Sequence, residues 1–518
     1  MTDVGVSLSV LVRAAARAHP DAPAVVAGAE RLSWAGLNAR VDRVAAGYAA
    51  RGLTPGDRVA VQLPNGVDWL RATLGALRAG LVVVPVNTAY TDPELDYVLT
   101  DATAALLVAA GDRPEVAGVP VLAGPPTDDA APPAVPEAPD TLAFLAYTSG
   151  TTGRPRGAML SAAALRANQE QCLRMQPPPV RPGDRVLLAL PLFHVYGLNA
   201  GFGLVAAAGA CAVLVESFDP VTSLEVMARE EVTAVPGAPP MFQAWLAVAD
   251  AAGSDAGLRR AFAAVRIASS GAAPLPAEVW TAMRERAAVT VWEGYGLTEA
   301  CPVVASTLAT GRAKPNCIGG PIPGVQLQLR DTALHEPVDD GVPAPGDLAE
   351  DGPGEIWVRG PNLFSGYWPD GVDGPDAQGW LATGDLAYAD EDGDLHLVNR
   401  RSDLILVSGF NVYPAEVERV LDAHPAVAES AVIGVPDPRT GAAVRAVVAL
   451  RPGRQLGFEE LREHVAASLA RYKVPTSVQV LAALPHSLTG KVSRARLREL
   501  GLARPEEPVE DPGGDGDR

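Results

Sequence analysis

Short apolar runs alternate with longer helical patterns along most of this chain, and that alternation confines it to a layered α/β architecture. From residue 1 to about 110, helical stretches such as RVAAGYAARGL are interleaved with the strand-like runs RVAVQL and LVVVPV. Strands separated by helices run largely parallel. The pattern resumes in RVLLALPL, ACAVLVE, VTAVPG and VRIASSG. Between the two stretches, residues 111–140 are rich in Pro, Ala, Gly and Asp, which predicts a surface excursion ahead of the next strand. Beyond residue 320 the texture changes to short, turn-punctuated strands such as VQLQLR and GEIWVRG, the signature of a β subdomain. A further set of helix and strand patterns, EVERVLDAH and AAVRAVVAL among them, follows SDLILVSGFNVYP. The expected organisation is a large domain over 1–399, built of layered α/β subdomains plus a β subdomain. A small C-terminal α+β domain follows over 400–502. The Pro-, Gly- and acid-rich segment 503–518 is expected to be disordered.

Length and charge narrow the function. A chain of 518 residues needs two or three domains, and its 48% hydrophobic content excludes a disordered scaffold. The formal net charge of −19 excludes a broad nucleic-acid surface, which needs clustered Lys and Arg. It leaves room for a small anionic ligand, since such ligands are held by local donors. The four cysteines, Cys172, Cys211, Cys301 and Cys317, are widely spaced and predict reduced thiols. The N-terminus lacks the basic start and long apolar core of a secretory signal. The most apolar stretch, 204–215, is too short to span a bilayer. A cytoplasmic protein with no stable membrane insertion is the expectation.

The strongest local signal is YTSGTTGRPRG at 147–157, which follows the strand-like LAFLAY and precedes a helical stretch. Thr148, Ser149, Thr151 and Thr152 supply hydroxyls, Gly150 and Gly153 let backbone amides approach an anion, and Arg156 adds positive charge. The loop is not a Walker motif. Taken alone it also reads as a solvated Ser/Thr/Gly turn.

Further motifs follow in order: PLFHVYG at 191–197, SSGAAPL at 269–275, GYGLTEA at 294–300, TGDLAY at 383–388, NRRSDLILVSGFNVYPAEVE at 399–418 and LPHSLTGK at 484–491. In this set the chain resembles the adenylate-forming enzymes: acyl-CoA synthetases, aryl-CoA ligases, beetle luciferases and peptide-synthetase adenylation domains. The resemblance runs through nearly the whole length.

It implies an ATP-dependent acid–coenzyme A ligase working through an acyl-adenylate. A carboxylate is a poor acylating agent because oxide would have to leave, whereas a phosphate ester leaves easily. The resemblance makes Glu299 a ligand of Mg²⁺, a hard cation that takes oxygen donors, and puts Thr298 at the α-phosphate. Asp385 would accept from the ribose hydroxyls with help from Arg400. Tyr295, between Gly294 and Gly296, would pack on adenine, with Ala272 and Ala273 as a nearby wall; without its flanking motif Tyr295 reads as a plain core aromatic. Lys491 is implied as the catalytic lysine, its ammonium offsetting the charge that builds as two anions meet. Arg156 assists at the phosphates. A rotation of the small, mobile domain would then replace Lys491 by SGFNVYP, with Gly409 lining the pantetheine channel. Lys473 is a candidate for a coenzyme A phosphate contact and equally reads as a solvated lysine.

For the acid, the resemblance assigns His194 and Gly271 to the acyl pocket; His194 also reads as a hydrogen-bonded structural histidine. The small residues Gly197, Gly201, Gly203, Ala272 and Ala273 are expected to leave room for a chain. The linker SGFNVYPAEVE resembles fatty acyl-CoA synthetases, so a medium- or long-chain fatty acid is the expected substrate. An aryl-CoA ligase and an adenylation enzyme loading a carrier protein are the alternatives, and the oligomeric state is open. Arg156 stands where most relatives have Lys, Ala162 where His often follows, and Ser402 at the hinge where Lys or Asp is common. Pro485, Gly490 and Lys491 resemble the site at which a lysine acetyltransferase silences such synthetases, a modification that would remove the catalytic charge.

Overall fold

The computed structural model describes residues 7–134, 140–149, 155–330, 353–400, 405–407, 410–412, 414–437, 440–469, 471–486 and 492–502. The chain divides into two compact units, Met1–Leu397 and Val398–Arg518.

The first unit is built on three sheets. In the nine-stranded sheet, six consecutive strands are parallel: Val291–Gly296, Ile267–Ser270, Ala234–Gly237, Arg185–Leu188, Cys211–Leu214 and Pro23–Ala27. Cys211–Leu214 and Ala234–Gly237 are buried at every position, as expected of strands covered on both faces. The six-stranded sheet runs Val121–Ala123, Ala104–Ala109, Arg58–Gln62, Val82–Pro85, Leu142–Ser149 and Pro155–Ser161. It is parallel except for its last pair, an antiparallel hairpin. An antiparallel four-stranded sheet of Gln326–Arg330, Gly354–Arg359, Trp380–Ala389 and Leu395–Arg400 supplies the expected β subdomain.

One expectation needs correction. The segment 111–140 is more than a surface excursion: Val121–Ala123 forms the edge strand of the six-stranded sheet, and Pro126 packs so closely on Gly47 that a Cβ there would lie 2.7 Å from it. The strand Pro23–Ala27 does not join the neighbouring sheet of its own region but pairs Val25 with Ala212. The apolar stretch 204–215 divides into the helix Leu204–Ala208 and the strand Cys211–Leu214. Among the described residues no helix is long and apolar enough to cross a membrane. All four cysteines are free, buried thiols.

The second unit is an α+β sheet of five strands, with Val427–Asp437 and Gly441–Leu450 as its long antiparallel pair. The helices Pro414–Asp422 and Phe458–Ala466 pack on it through Val417, Leu421, Leu461 and Val465. The expected tail, 503–518, lies outside the described residues.

Candidate active site

Ligands of open α/β sheets sit beyond the carboxyl ends of parallel strands, and several of the predicted residues follow such strands. Strand Ile267–Ser270 runs out into Gly271, Ala272 and Ala273, strand Val291–Gly296 into the single 3₁₀ turn Thr298–Ala300, and Arg185–Leu188 into the loop bearing His194. The phosphate-loop motif forms the hairpin of the six-stranded sheet, pairing Thr148 with Arg156. Its second strand leads into helix Ala162–Leu173, whose start Ser161 caps by accepting from the Ala164 N–H (3.1 Å). Gly150, Thr151, Thr152 and Gly153 lie outside the described residues, as do Ser402, Gly409 and Lys491. The Ser149 and Arg400 side chains are likewise outside the description.

Two of the predicted adenosine residues meet directly. The Tyr295 hydroxyl donates to Asp385 Oδ2 at 2.6 Å, with both side chains buried. Asp385 is set by its own turn: its N–H donates to Thr383 Oγ1 (3.1 Å), and Gly384 before it has φ 73°. Gly296 is required by packing, since a Cβ there would lie 2.1 Å from the Pro302 carbonyl oxygen. Ala272 sits in the left-handed region at φ 71°, a strained position for a residue with a Cβ.

The phosphate end is joined by a residue that the motif reading missed. Tyr367 bridges to Ala158 on the hairpin, its hydroxyl donates to Glu299 Oε1, and its ring lies under the Arg156 guanidinium, 3.9 Å from ring centroid to Cζ. Burial, and then the negative charge of Glu299, push the Tyr367 phenol well above its ordinary value. The flanking backbone is stitched to the same two elements. Trp368 N–H donates to Gly157 O (2.8 Å), Ser365 N–H to Met159 O (3.0 Å) and Phe364 N–H to Glu299 O (2.8 Å). Arg156 also pairs with Asp373 at 2.8 Å. The Thr148 hydroxyl oxygen is buried at this cluster, close enough to Tyr367 to bear on its phenol. Glu299 and Thr148 offer hard oxygen donors, the class that Mg²⁺ takes, so the residues present fit that ion.

A chain of buried amides clamps the turn that carries Glu299. Asn199 donates to the Cys301 carbonyl (2.6 Å) and accepts from Gln169 (2.7 Å); Asn362 donates to the Ala300 carbonyl (2.8 Å) and accepts from Gln171 (3.2 Å). Asn168 both donates to and accepts from the Val303 backbone, at 2.8 and 3.2 Å. Beneath the 269–275 motif, Glu293 accepts from the Leu275 N–H at 3.1 Å. Burial pushes its carboxyl up to about 7, against the backbone N–H groups of Leu275, Asn316 and Cys317.

At the acyl end, Tyr196 links the two predicted residues. Its N–H donates to His194 Nδ1 (3.3 Å), and its hydroxyl donates to Gly237 O (3.2 Å). A Cβ on Gly271 would lie 3.1 Å from its ring. Three glycines expected to leave pocket space are instead close-packed. A Cβ would lie 2.3 Å from Pro191 O at Gly197, 3.1 Å from Leu188 at Gly201, and 2.6 Å from Asn199 at Gly203. In the second unit, Lys473 is held by both carboxylate oxygens of Glu416, each at 2.7 Å.

Known proteins resemble this chain over nearly its whole length. The AMP-binding enzyme family matches residues 12–368, and its C-terminal domain matches 416–491. A feruloyl-CoA synthase of Amycolatopsis sp is 38% identical over 496 residues, 93% of this chain and 96% of the relative. A long-chain-fatty-acid–CoA ligase of Yersinia pestis is 34% identical over 550 residues, covering 95% of this chain and 94% of the relative. The crystal structure of ATP-bound MatB from Rhodopseudomonas palustris superposes with a TM-score of 0.84 at 32% identity, over 95% of this chain and 99% of that one. The chain therefore belongs to the AMP-binding enzyme family, as an AMP-forming acyl-CoA synthetase that works with ATP, Mg²⁺ and coenzyme A.

Proposed function

We propose that this synthetase activates a hydrophobic monocarboxylic acid, a medium- or long-chain fatty acid, and transfers it to coenzyme A. The observation that carries the reading is the juxtaposition of Glu299 and Arg156 on Tyr367, beside the phosphate-loop hairpin. That arrangement supports one charged group of each sign at a triphosphate.

In the first half-reaction the substrate carboxylate attacks the α-phosphorus of ATP. A C–O–P linkage forms, the α–β phosphoanhydride breaks, and pyrophosphate leaves. Arg156, the hydroxyls of Thr148, Ser149, Thr151 and Thr152, and the amides of Gly150 and Gly153 hold the phosphates. Glu299, with Thr148 nearby, would hold Mg²⁺, which when bound would supply neutralising charge at the phosphates. Thr298 meets the α-phosphate, while Tyr295, flanked by Gly294 and Gly296, packs on adenine opposite Ala272 and Ala273. Asp385 and Arg400 orient the ribose. Lys491 brings the two anions together. In the second half-reaction the coenzyme A sulfur attacks the acyl carbonyl, AMP leaves, and the thiol proton passes to solvent. Gly409, on the small domain placed over 400–502, lines the pantetheine path. The pair that Lys473 makes with Glu416 supports a structural role for that lysine over a phosphate contact. Dependence on ATP and coenzyme A supports a cytoplasmic site of action.

A second reading, an aromatic acid, is favoured by Tyr196, whose ring closes on Gly271 at the acyl end, and by the similarity to a feruloyl-CoA synthase. Pyrophosphate release and thioester formation with acetate, fatty acids of graded length, benzoate and coumarate decide between them. Thioester from medium or long chains, abolished in Lys491→Ala, supports the first reading; thioester from coumarate alone selects the second. Acyl-AMP without thioester would sink both and point to a carrier protein.

A further inference from the structure

The segment 363–368 lies in none of the motifs singled out in the sequence, yet it ties together the two charged residues of the phosphate end. Its backbone bonds reach Met159 and Gly157 on one side and Glu299 on the other. Between them stands one side chain, Tyr367, braced edge-on by Phe364 with ring centroids 5.0 Å apart. Its two ends do different things. The hydroxyl donates to Glu299 Oε1, which takes one carboxylate oxygen and fixes the rotation of the other. The ring face carries the Arg156 guanidinium, whose edge is turned to Asp373. A guanidinium can stack flat on a ring and still donate in its own plane.

We propose that Tyr367 is a positioning residue for adenylation, setting Glu299 and Arg156 at a fixed separation so that metal and triphosphate are met together. This rests on the reading that Glu299 holds the metal ion and Arg156 faces the phosphates. Tyr367 touches neither ligand in this assignment and acts through its two neighbours. Removing the hydroxyl frees Glu299 to rotate while leaving the stack in place, whereas removing the ring releases both.

The test separates those contributions in the full-length enzyme. Mn²⁺ binding is followed by electron paramagnetic resonance in the presence of α,β-methylene-ATP. Metal-free affinity for the same analogue is measured by calorimetry. Tyr367→Phe should weaken Mn²⁺ about tenfold, the loss of one hydrogen bond to a charged group, with metal-free nucleotide affinity within about twofold of wild type. Tyr367→Leu should weaken both. Arg156→Lys, which keeps the charge and loses the restraint on the ring, should weaken nucleotide binding and, to a smaller extent than Tyr367→Phe, Mn²⁺ binding. It also reports on the arrangement if a Tyr367 variant folds poorly. Wild-type Mn²⁺ affinity in Tyr367→Phe, alongside weakened binding in Glu299→Gln, would overturn the proposal and leave the metal reading standing. Unchanged Mn²⁺ binding in Glu299→Gln would overturn both.

Discussion

The Tyr295–Asp385 pair allows a prediction worked from geometry. The hydroxyl-to-carboxylate distance is 2.6 Å, and the residues are only 7% and 8% exposed. A hydrogen bond to a charged group contributes about 1.5–3 kcal/mol, and a buried one belongs in the upper half of that range. Tyr295→Phe keeps the ring and its packing and removes only the hydroxyl, so Asp385 loses its orientation. If Asp385 meets the ribose, KM for ATP should rise roughly 10- to 100-fold, since about 1.4 kcal/mol is a factor of ten. Asp385→Asn should produce a rise of the same order. Because the two residues act as a unit, the double variant should be little worse than either single one, with a coupling energy of at least about 1.5 kcal/mol. ATP–pyrophosphate exchange with a saturating acid measures all four proteins. Additive effects within about 0.3 kcal/mol, or single variants with wild-type KM, would refute the assignment of this pair to the nucleotide.

Two other perturbations follow from packing and charge. The Glu293 carboxyl stands at about 7 in the folded chain against 4.5 ordinarily, so folding favours its protonated form. Its contribution is complete below pH about 4.5 and is lost as pH rises through about 7. Glu293→Gln should gain up to about 3 kcal/mol over wild type between pH 5 and pH 8, and parallel urea-unfolding profiles of the two proteins would contradict this. Gly296→Ala forces a Cβ to within 2.1 Å of the Pro302 oxygen. A loss of about 1–3 kcal/mol should accompany a drop in adenylation rate, because Thr298 and Glu299 follow at once. Wild-type melting temperature and exchange rate in that variant would show the turn to be more adaptable than its contacts imply.

Local patterns revealed most strands and helices, because burial on both faces leaves an unbroken apolar run such as CAVL at 211–214. They could not say which sheet a strand joins. Val25 pairs with Ala212, and nothing in the period of PAVVA identifies a partner so far along the chain. The site divides in the same way. Residues inside ordered motifs, Tyr295, Glu299, Asp385 and Arg156 among them, stand out as candidates from the sequence alone. Tyr367 was not, since SGYWPD reads as a turn with two aromatic residues, and only the fold brings it to residue 299. The amides of ANQEQC would pass for a solvated helix face, yet Asn168, Gln169 and Gln171 are 1–2% exposed. A helix that carries three amides within four residues and few charges is the available signal, because such groups are buried only where backbone awaits them.

That arrangement bears on the replacement of Lys by Arg at position 156, which looks conservative when only charge is counted. The Thr298–Ala300 turn is a single 3₁₀ turn and has little rigidity of its own. Its carbonyl at Ala300 and the adjoining one at Cys301 are fixed from behind by Asn362 and Asn199, and its carboxylate is fixed from the front by Tyr367. The front contact is only as well placed as the Tyr367 ring, one face of which is covered by Arg156. A lysine there would present a hydrated point charge and could not hold the ring flat while pairing in-plane with Asp373. On the proposed reading Arg156 therefore has two tasks: its charge serves the phosphates, and its stack restrains the side chain that orients the opposite charge.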